Sequence, residues 1–237
     1  MITEYYSQAS EAARALIGAL LKEMRQEPDK IFRIALSGGS TPALLFDIWA
    51  NEFTDLTPWE RLHFYWVDER CVSPESPDSN YGMAKHLLFS RVPVNSTQIH
   101  RIIGENEPHE EAMQYSALIK SSLRLNEGIP EFDIIFLGIG SDGHTSSIFP
   151  GQKSLLFCSE PYSVSVNPYN GQHRIALTGQ PLIKALHTWF FVTGQDKADI
   201  IRKVLEEGTA ELYPAGYVLE NARDASSEMW LREVEGL

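Results

Sequence analysis

The stretch FDIIFLGIGSDGHTSSIFPG, residues 132–151, decides the fold and the chemistry expected of this chain. It opens with a short apolar run, 132–137, which is typical of a buried β-strand and stops at glycines. Asp142 and His144 follow within the glycine-rich turn. Because ligands of open α/β sheets bind in the crevice at the carboxyl ends of the strands, we expect both side chains to face a cleft.

Short apolar runs ended by Gly, Ser, Thr or Asp recur along the chain. They predict strands at residues 31–36, 62–67, 132–137, 174–177 and 189–192. Apolar residues at helical spacing predict helices at residues 9–24, 42–51, 80–89, 107–126, 181–186 and 196–207. This alternation favours an α/β fold with a single domain over residues 1–237, in which helices cover both faces of a mostly parallel, Rossmann-like sheet.

Three further segments complete this organisation. Residues 71–82 and 160–173 are rich in Ser, Pro and Asn, and we expect both to be long loops near strand ends. From Ala222 onward, the helical spacing of Met229, Trp230 and Val234 predicts a last helix.

Composition and charge limit the classes of function. The 237 residues carry a formal net charge of −12 and no cluster of Lys or Arg, which argues against a nucleic-acid partner. Two cysteines, Cys71 and Cys158, are too few for a disulfide framework. There is no signal-peptide pattern, and the longest apolar runs are under half of the ~20 residues that span a membrane. We therefore expect a soluble, cytoplasmic monomer or weak homodimer with no membrane partner and a small-molecule ligand.

The first candidate anion site is SGGSTP, residues 37–42, directly after the first predicted strand. Gly38 and Gly39 allow backbone conformations and close approaches that a side chain would block. Free N–H groups at the start of the next helix, with the hydroxyls of Ser40 and Thr41, form a seat for a phosphate or carboxylate. A simple capped turn explains these residues equally well. The segment is not a Walker loop, because no Gly-Lys-Ser or Gly-Lys-Thr follows.

Charged residues also lie near the ends of three other predicted strands. Arg70 in VDER can clamp an oxyanion or a phosphate with two hydrogen bonds, while Asp68 or Glu69 can accept or orient protons. Arg174 opens the fourth predicted strand, and Lys197 falls in the first turn of a predicted helix, where its charge opposes the helix dipole. A bound phosphate would compensate that charge. Surface ion pairs and an exposed lysine are the alternatives.

His144 is the candidate acid/base group. An imidazole has an ordinary pKa of about 6.5, so it can give and take protons near neutrality. The alternative is a histidine that only caps the turn at residues 145–148. Asp142 and His144 could both bind a metal ion, but no HExxH motif or cysteine pair completes a site, and GxSxG is absent. We expect neither a metal nor a serine nucleophile.

The motifs LSGGSTP, VDER, SNYGMAKHLL, LGIGSDGHTSSIFPG, RIALT and VTGQDKA, taken in order, resemble the 6-phosphogluconolactonase family over nearly the whole chain. Glucosamine-6-phosphate deaminases are similar in GGSTP, DE and DGH. Their pattern continues roughly as GHIAFNEP, with a glutamate five residues after the histidine, where this chain has Phe149. The chain departs from the lactonase pattern at Ser146, where Ala is usual, and at Ala176, where Thr is frequent.

The resemblance implies a hydrolase that opens 6-phospho-D-glucono-1,5-lactone in the oxidative pentose phosphate pathway without a metal or organic cofactor. It implies that His144 is the acid/base group. We assign the remaining predicted site residues to orientation of this histidine (Asp142), to the sugar hydroxyls (Asp68) and to the phosphate (Gly39, Ser40, Thr41, Arg70, Arg174 and Lys197). Two alternatives remain: a deaminase or isomerase acting on a sugar phosphate, and a noncatalytic sugar-phosphate-binding module.

Overall fold

The structure is a computed structural model that describes residues 2–194, 197–206, 208, 210–223 and 227–232. The described strands are β1 (Ile2–Tyr6), β2 (Phe32–Leu36), β3 (Leu62–Trp66), β4 (Asp68–Arg70), β5 (Arg124–Asn126), β6 (Ile129–Glu131), β7 (Ile134–Leu137), β8 (Tyr162–Val166), β9 (His173–Leu177), β10 (His187–Val192) and β11 (Ser227–Arg232). Six of them form a sheet in the order β1-β11-β10-β7-β2-β3, with every neighbouring pair parallel. Two small antiparallel sheets, β4-β9-β8 and β5-β6, stand beside it.

Helices flank the parallel sheet. The described helices are α1 (Ala9–Gln26), α2 (Ser40–Glu52), α3 (Asn80–Ala84), α4 (Pro108–Ser122), α5 (Gly179–Lys184), α6 (Ala198–Leu205) and α7 (Pro214–Asn221). A π-helical turn, Lys85–Phe89, extends α3. All residues of β7 are buried, as expected of a parallel strand that is covered on both faces. The predicted α/β architecture is confirmed. None of the described helices combines the length and the apolar content that a membrane span requires.

The predicted last helix is wrong. Residues Ser227–Arg232 form β11, which lies between β1 and β10 and pairs in parallel with both. The spacing of Met229 and Trp230 covered too few residues to separate a helical period from a strand period. Two strand edges that need hydrogen-bond partners therefore decide the conformation, because tertiary pairing overrides weak local preference. Val234 lies outside the described residues.

The strand predicted at 174–177 exists, but it is not part of the parallel sheet. It belongs to β9, which pairs antiparallel with β4 and with β8. The predicted loop 160–173 contains β8, and the predicted helix 107–126 ends at Ser122 before β5. Of the predicted helix 196–207, Ala198–Leu205 forms α6, and residues 196 and 207 lie outside the described residues.

The site is positioned by the point where the strand order reverses. From β2 the chain crosses to β3 on one side, and it later returns to β7 on the other side. In such sheets the loops after the two central strands diverge and leave a crevice between them. The small sheet β4-β9-β8 adjoins the carboxyl end of β2. The N–H of Val67 donates to the carbonyl of Leu36 (2.8 Å), and the carbonyl of Val67 accepts from the N–H of Leu177 (2.7 Å).

Candidate active site

A cavity opens at the carboxyl ends of β2 and β7. Eight of the nine predicted site residues line it: Gly39, Ser40, Thr41, Asp68, Arg70, His144, Arg174 and Lys197. The ninth, Asp142, contacts the imidazole of His144. Side chains that are up to 158 positions apart in the sequence thus border one space, which gives a histidine and three cationic side chains access to the same small molecule.

A tight turn holds His144 at the end of β7. The N–H of Gly140 donates to the carbonyl of His144 at 2.8 Å, and the N–H of Gly143 donates to the carbonyl of Gly140 at 2.9 Å. A Cβ at Gly140 would lie 2.1 Å from Nδ1 of His144, so the imidazole rests on bare backbone there. Gly143 has a φ of +81°, which favours glycine, and it packs so closely against Tyr213 that a Cβ would collide with the ring. Glycine is therefore required at positions 140 and 143 for this ring position.

His144 and Asp142 form a hydrogen-bonded pair. Nδ1 of the imidazole lies 2.6 Å from Oδ1 of Asp142, and the N–H of His144 donates to the same oxygen at 3.1 Å. Burial raises the pKa of Asp142, but hydrogen bonds and charge from His144, with a hydrogen bond from Tyr169, outweigh it and hold the pKa well below its usual value. An ionised Asp142 keeps the imidazole hydrogen on Nδ1. Nε2 is then the ring nitrogen that can accept a proton.

Phe149 forms an apolar wall next to this pair. Its ring is 1% exposed, and its centroid is 4.6 Å from that of His144. The guanidinium of Arg174 lies 5.8 Å from the same ring. The position at which the deaminase pattern has a glutamate therefore carries an aromatic ring against the imidazole.

Two arginines lie side by side on neighbouring strands of the antiparallel sheet β4-β9-β8. Arg70 on β4 is the register partner of Arg174 on β9, and both line the cavity. Nε of each guanidinium is buried without a hydrogen-bond partner among the described residues. Burial lowers the pKa of Arg174, and the charge of Arg70 acts in the same direction against the attraction of Asp68. Like charges directly opposite each other destabilise a sheet, so this arrangement is suited to a bound anion.

The carboxylate of Asp68 is already engaged by protein donors. Oδ2 accepts a hydrogen bond from the hydroxyl of Ser147 at 2.5 Å, and Oδ1 accepts one from the amide of Asn80 at 3.3 Å. Nη1 of Arg174 lies 3.7 Å from Oδ2 and 3.3 Å from the Ser147 hydroxyl. Asp68 is thus held by polar contacts beside one of the two arginines.

The loop after β2 presents the start of a helix to the cavity. α2 begins at Ser40, two residues earlier than predicted, and Gly39 has a φ of +104°. The hydroxyl of Thr41 lies 2.8 Å from that of Thr193, which directly follows β10. Lys197 lies just before α6, at its cap position, and borders the same cavity. Free N–H groups in the first turn of α2, with this lysine, provide donors for an anion.

No group of three or more His, Cys, Asp and Glu side chains within the described ranges is placed to hold a metal ion.

Comparison with known proteins places the chain in a family. The family model described as "Glucosamine-6-phosphate isomerases/6-phosphogluconolactonase" matches residues 6–229. The chain belongs to this family. The 6-phosphogluconolactonase of Treponema pallidum is 36% identical over 229 residues, which cover 96% of this chain and 93% of that protein. That of Aggregatibacter actinomycetemcomitans is 41% identical over 201 residues, with 84% and 83% covered.

A solved structure of the same family has the same fold. The 6-phosphogluconolactonase from Trypanosoma brucei superposes with a TM-score of 0.84 at 25% sequence identity, covering 98% of this chain and 95% of that one. The resemblance to lactonases inferred from the motifs is therefore confirmed at the level of the family.

Within this family fold, several polar contacts of the site were not singled out from the sequence. Asn80 packs on Gly38 and binds Asp68, and Ser147 binds the same carboxylate. Both residues lie inside motifs that carried the resemblance, so their position in those motifs was the available signal. Tyr169 donates to Oδ2 of Asp142 at 2.7 Å and lies in the segment expected to be a long loop, where nothing distinguished it from its neighbours.

Proposed function

We propose that the chain hydrolyses 6-phospho-D-glucono-1,5-lactone to 6-phosphogluconate, a step of the oxidative pentose phosphate pathway. The observation that carries the proposal is the shared cavity, in which a carboxylate-bound imidazole and two guanidiniums on paired strands border the same space. The related proteins from Treponema pallidum and Aggregatibacter actinomycetemcomitans carry the name of this activity.

The chemistry requires two proton transfers that one imidazole can perform. Nε2 of His144 takes a proton from a water molecule while the water oxygen forms a bond to the lactone carbonyl carbon. The resulting tetrahedral oxyanion collapses, the bond from that carbon to the ring oxygen breaks, and the imidazolium returns the proton to the departing ring oxygen. Asp142 holds Nδ1 throughout and stabilises the imidazolium that forms between the two transfers. General acid/base catalysis of this kind contributes about 10²- to 10⁴-fold in rate.

Other groups that line the cavity are proposed to hold the phosphate. In this proposal Arg70, Arg174 and Lys197 provide cationic donors, while the start of α2 provides N–H groups and the hydroxyls of Ser40 and Thr41. Binding at the phosphate fixes the carbonyl carbon relative to the imidazole, because a held reactant needs no further search for the reacting geometry. We propose that Asp68 holds the Arg174 guanidinium, whose Nη1 lies 3.7 Å from its carboxylate, in place of the sugar-hydroxyl role expected from the sequence. The same carboxylate already accepts hydrogen bonds from Ser147 and Asn80.

The deaminase alternative is less well supported by the site. Deaminases of similar sequence have a glutamate where this chain has Phe149, and that ring packs directly against the imidazole. A buried aromatic ring cannot accept or donate the protons that a carboxylate would handle there. We therefore assign the site to ester hydrolysis rather than to ring opening and deamination of an amino sugar.

The test is an assay of the purified protein with phosphogluconolactone, from which the spontaneous hydrolysis is subtracted. We expect turnover by the wild type, a loss of at least about 10²-fold in His144→Ala, and retained binding of 6-phosphogluconate by that variant. His109→Ala, which changes an exposed histidine on α4, should have wild-type activity. Ammonia release from glucosamine 6-phosphate by the wild type without lactone hydrolysis, or full activity in His144→Ala, would refute the assignment.

A further inference from the structure

The turn that joins β8 to β9 reaches across the site to the histidine pair. Tyr169 lies in this turn, and 72% of its surface is exposed, so its ring adds little to the buried core. Its hydroxyl nevertheless donates to Oδ2 of Asp142 at 2.7 Å, although the two residues are 27 positions apart. We propose that Tyr169 is a positioning residue that fixes the Asp142 carboxylate and, through it, the imidazole of His144. This inference rests on the proposed function.

The two oxygens of Asp142 have separate donors. Oδ1 binds Nδ1 of His144, and Oδ2 binds the phenol of Tyr169. A carboxylate held at one oxygen alone can rotate about its terminal torsion, which is broad in energy. A second donor on the other oxygen fixes the plane of the carboxylate, and the plane sets the direction in which Nδ1 is held. Outer partners of this kind orient the groups that react.

The ring of Tyr169 also contacts the other neighbour of the imidazole. Its centroid lies 6.4 Å from that of Phe149 at an interplanar angle of 76°, an edge-to-face arrangement. Phe149 in turn packs on His144. One exposed tyrosine therefore contacts both Asp142 and Phe149, and each of these contacts the imidazole ring. No contact between Tyr169 and His144 is needed for the effect.

The turn itself is shaped to hold this residue. The N–H of Tyr169 donates to the side chain of Asn167 at 2.9 Å, and Gly171 has a φ of +72° in the same turn. At the other end of the turn, the side-chain amide of Gln172 lies 3.4 Å from the carboxylate of Asp78. The backbone carbonyl of Asp78 accepts a hydrogen bond from the Arg70 guanidinium at 2.5 Å. The turn thus has contacts on the histidine side and on the arginine side of the cavity.

Replacing Tyr169 with phenylalanine removes the hydroxyl and keeps the ring. If Tyr169 positions Asp142, kcat for the lactone should fall about tenfold, because a loosened catalytic group loses part of its alignment. KM should stay within about twofold, since none of the phosphate donors touches Tyr169. Tyr5→Phe is the matched control: it removes the hydroxyl of another exposed tyrosine, on β1, and should leave kcat and KM unchanged.

A spectroscopic readout separates positioning from a loss of general stability. In protein labelled with ¹⁵N-histidine, the His144 ring signals are identified by their loss in His144→Ala. They should shift in Tyr169→Phe, and the signals of the other six histidines should not. Because the aromatic ring is retained in this variant, a shift reports the changed carboxylate.

The outcomes distinguish this inference from the proposed function. Lactone hydrolysis by the wild type with kcat unchanged in Tyr169→Phe, or with unmoved His144 signals, overturns the positioning role alone. A rise in KM at constant kcat also overturns it, because it would mean that Tyr169 binds substrate. Absence of lactone hydrolysis by the wild type refutes the proposed function, and the positioning role for that reaction with it.

Discussion

Replacing Gly140 with alanine tests whether the imidazole must sit where the structure places it. An added Cβ would lie 2.1 Å from Nδ1 and 2.2 Å from Cε1 of His144. Non-bonded heavy atoms at their optimal separation lie about 3.5 Å apart, so restoring that separation moves the edge of the ring by about 1.4 Å. Gly140 is not among the residues with positive φ, so alanine fits the backbone and the collision with the ring is the perturbation.

The ring cannot make that movement without a loss. Nδ1 is bound to Asp142 at 2.6 Å, and Phe149 packs at 4.6 Å between centroids. A shift of about 1.4 Å therefore breaks the hydrogen bond or moves Nε2 away from the water that it is proposed to deprotonate. Misplacement by about 1 Å can cost about 10²-fold in rate. We expect kcat to fall by about that factor in Gly140→Ala, with KM within about threefold because the phosphate donors are untouched.

The assay measures initial rates of phosphogluconolactone hydrolysis over a range of concentrations, with the spontaneous rate subtracted at each. Gly151→Ala is the matched control, since it lies in the same segment and a Cβ there meets nothing within 4 Å. Circular dichroism and thermal unfolding show whether each variant is folded. A folded Gly140→Ala enzyme with the wild-type kcat would refute the reasoning, because the imidazole would then act from a position other than the one described.

Two further predictions concern charge. In Arg70→Gln we expect KM for the phosphorylated lactone to rise about 10- to 100-fold, the loss of a charge-assisted hydrogen bond, and inorganic phosphate to raise the melting temperature less than in the wild type; equal KM values would remove Arg70 from the anion site. Burial lowers the pKa of His63 and of His100, whose rings stack and whose nitrogens lie 3.0 Å apart. The unfolded chain therefore binds more protons as the pH falls below about 6.5, so the free energy of unfolding should decrease there. Urea unfolding at pH 7.5 and pH 5.5 should show a smaller decrease in His100→Gln than in the wild type, and an equal decrease would contradict this assignment.

The parts of the fold that could be predicted from the sequence are those set by neighbouring residues. The strand and turn around residues 132–151 and the strand, turn and helix around residues 31–52 combine short apolar runs with glycines, and both are present. Their positions in one crevice followed from a general property of parallel sheets. For this reason the sequence alone predicts that His144 and the start of α2 lie near each other.

Pairing between distant segments could not be predicted in the same way. The tail strand β11 has its place because β1 and β10 leave two edges that it fills, and spacing within six residues does not reveal those edges. Arg70 and Arg174 were expected at strand ends, yet they meet as register partners in a separate antiparallel sheet. A shift of one residue in that register would turn one guanidinium to the opposite face of the sheet, so their approach depends on a pairing that no local pattern encodes.

A junction around the backbone of Val67 joins the parts of the site. Val67 links β2 to β9 through its N–H and carbonyl, and the hydroxyl of Ser146 donates to the carbonyls of Val67 (3.3 Å) and Leu177 (3.0 Å). Ser146 has a φ of 54°, a strained conformation for a residue with a side chain, and these bonds hold it there. The turn that carries His144 and the antiparallel sheet that carries Arg70 and Arg174 are therefore tied to one backbone junction. It follows that removing a cationic side chain should change affinity while the geometry persists, whereas a change that displaces the turn should alter the rate of the chemical step.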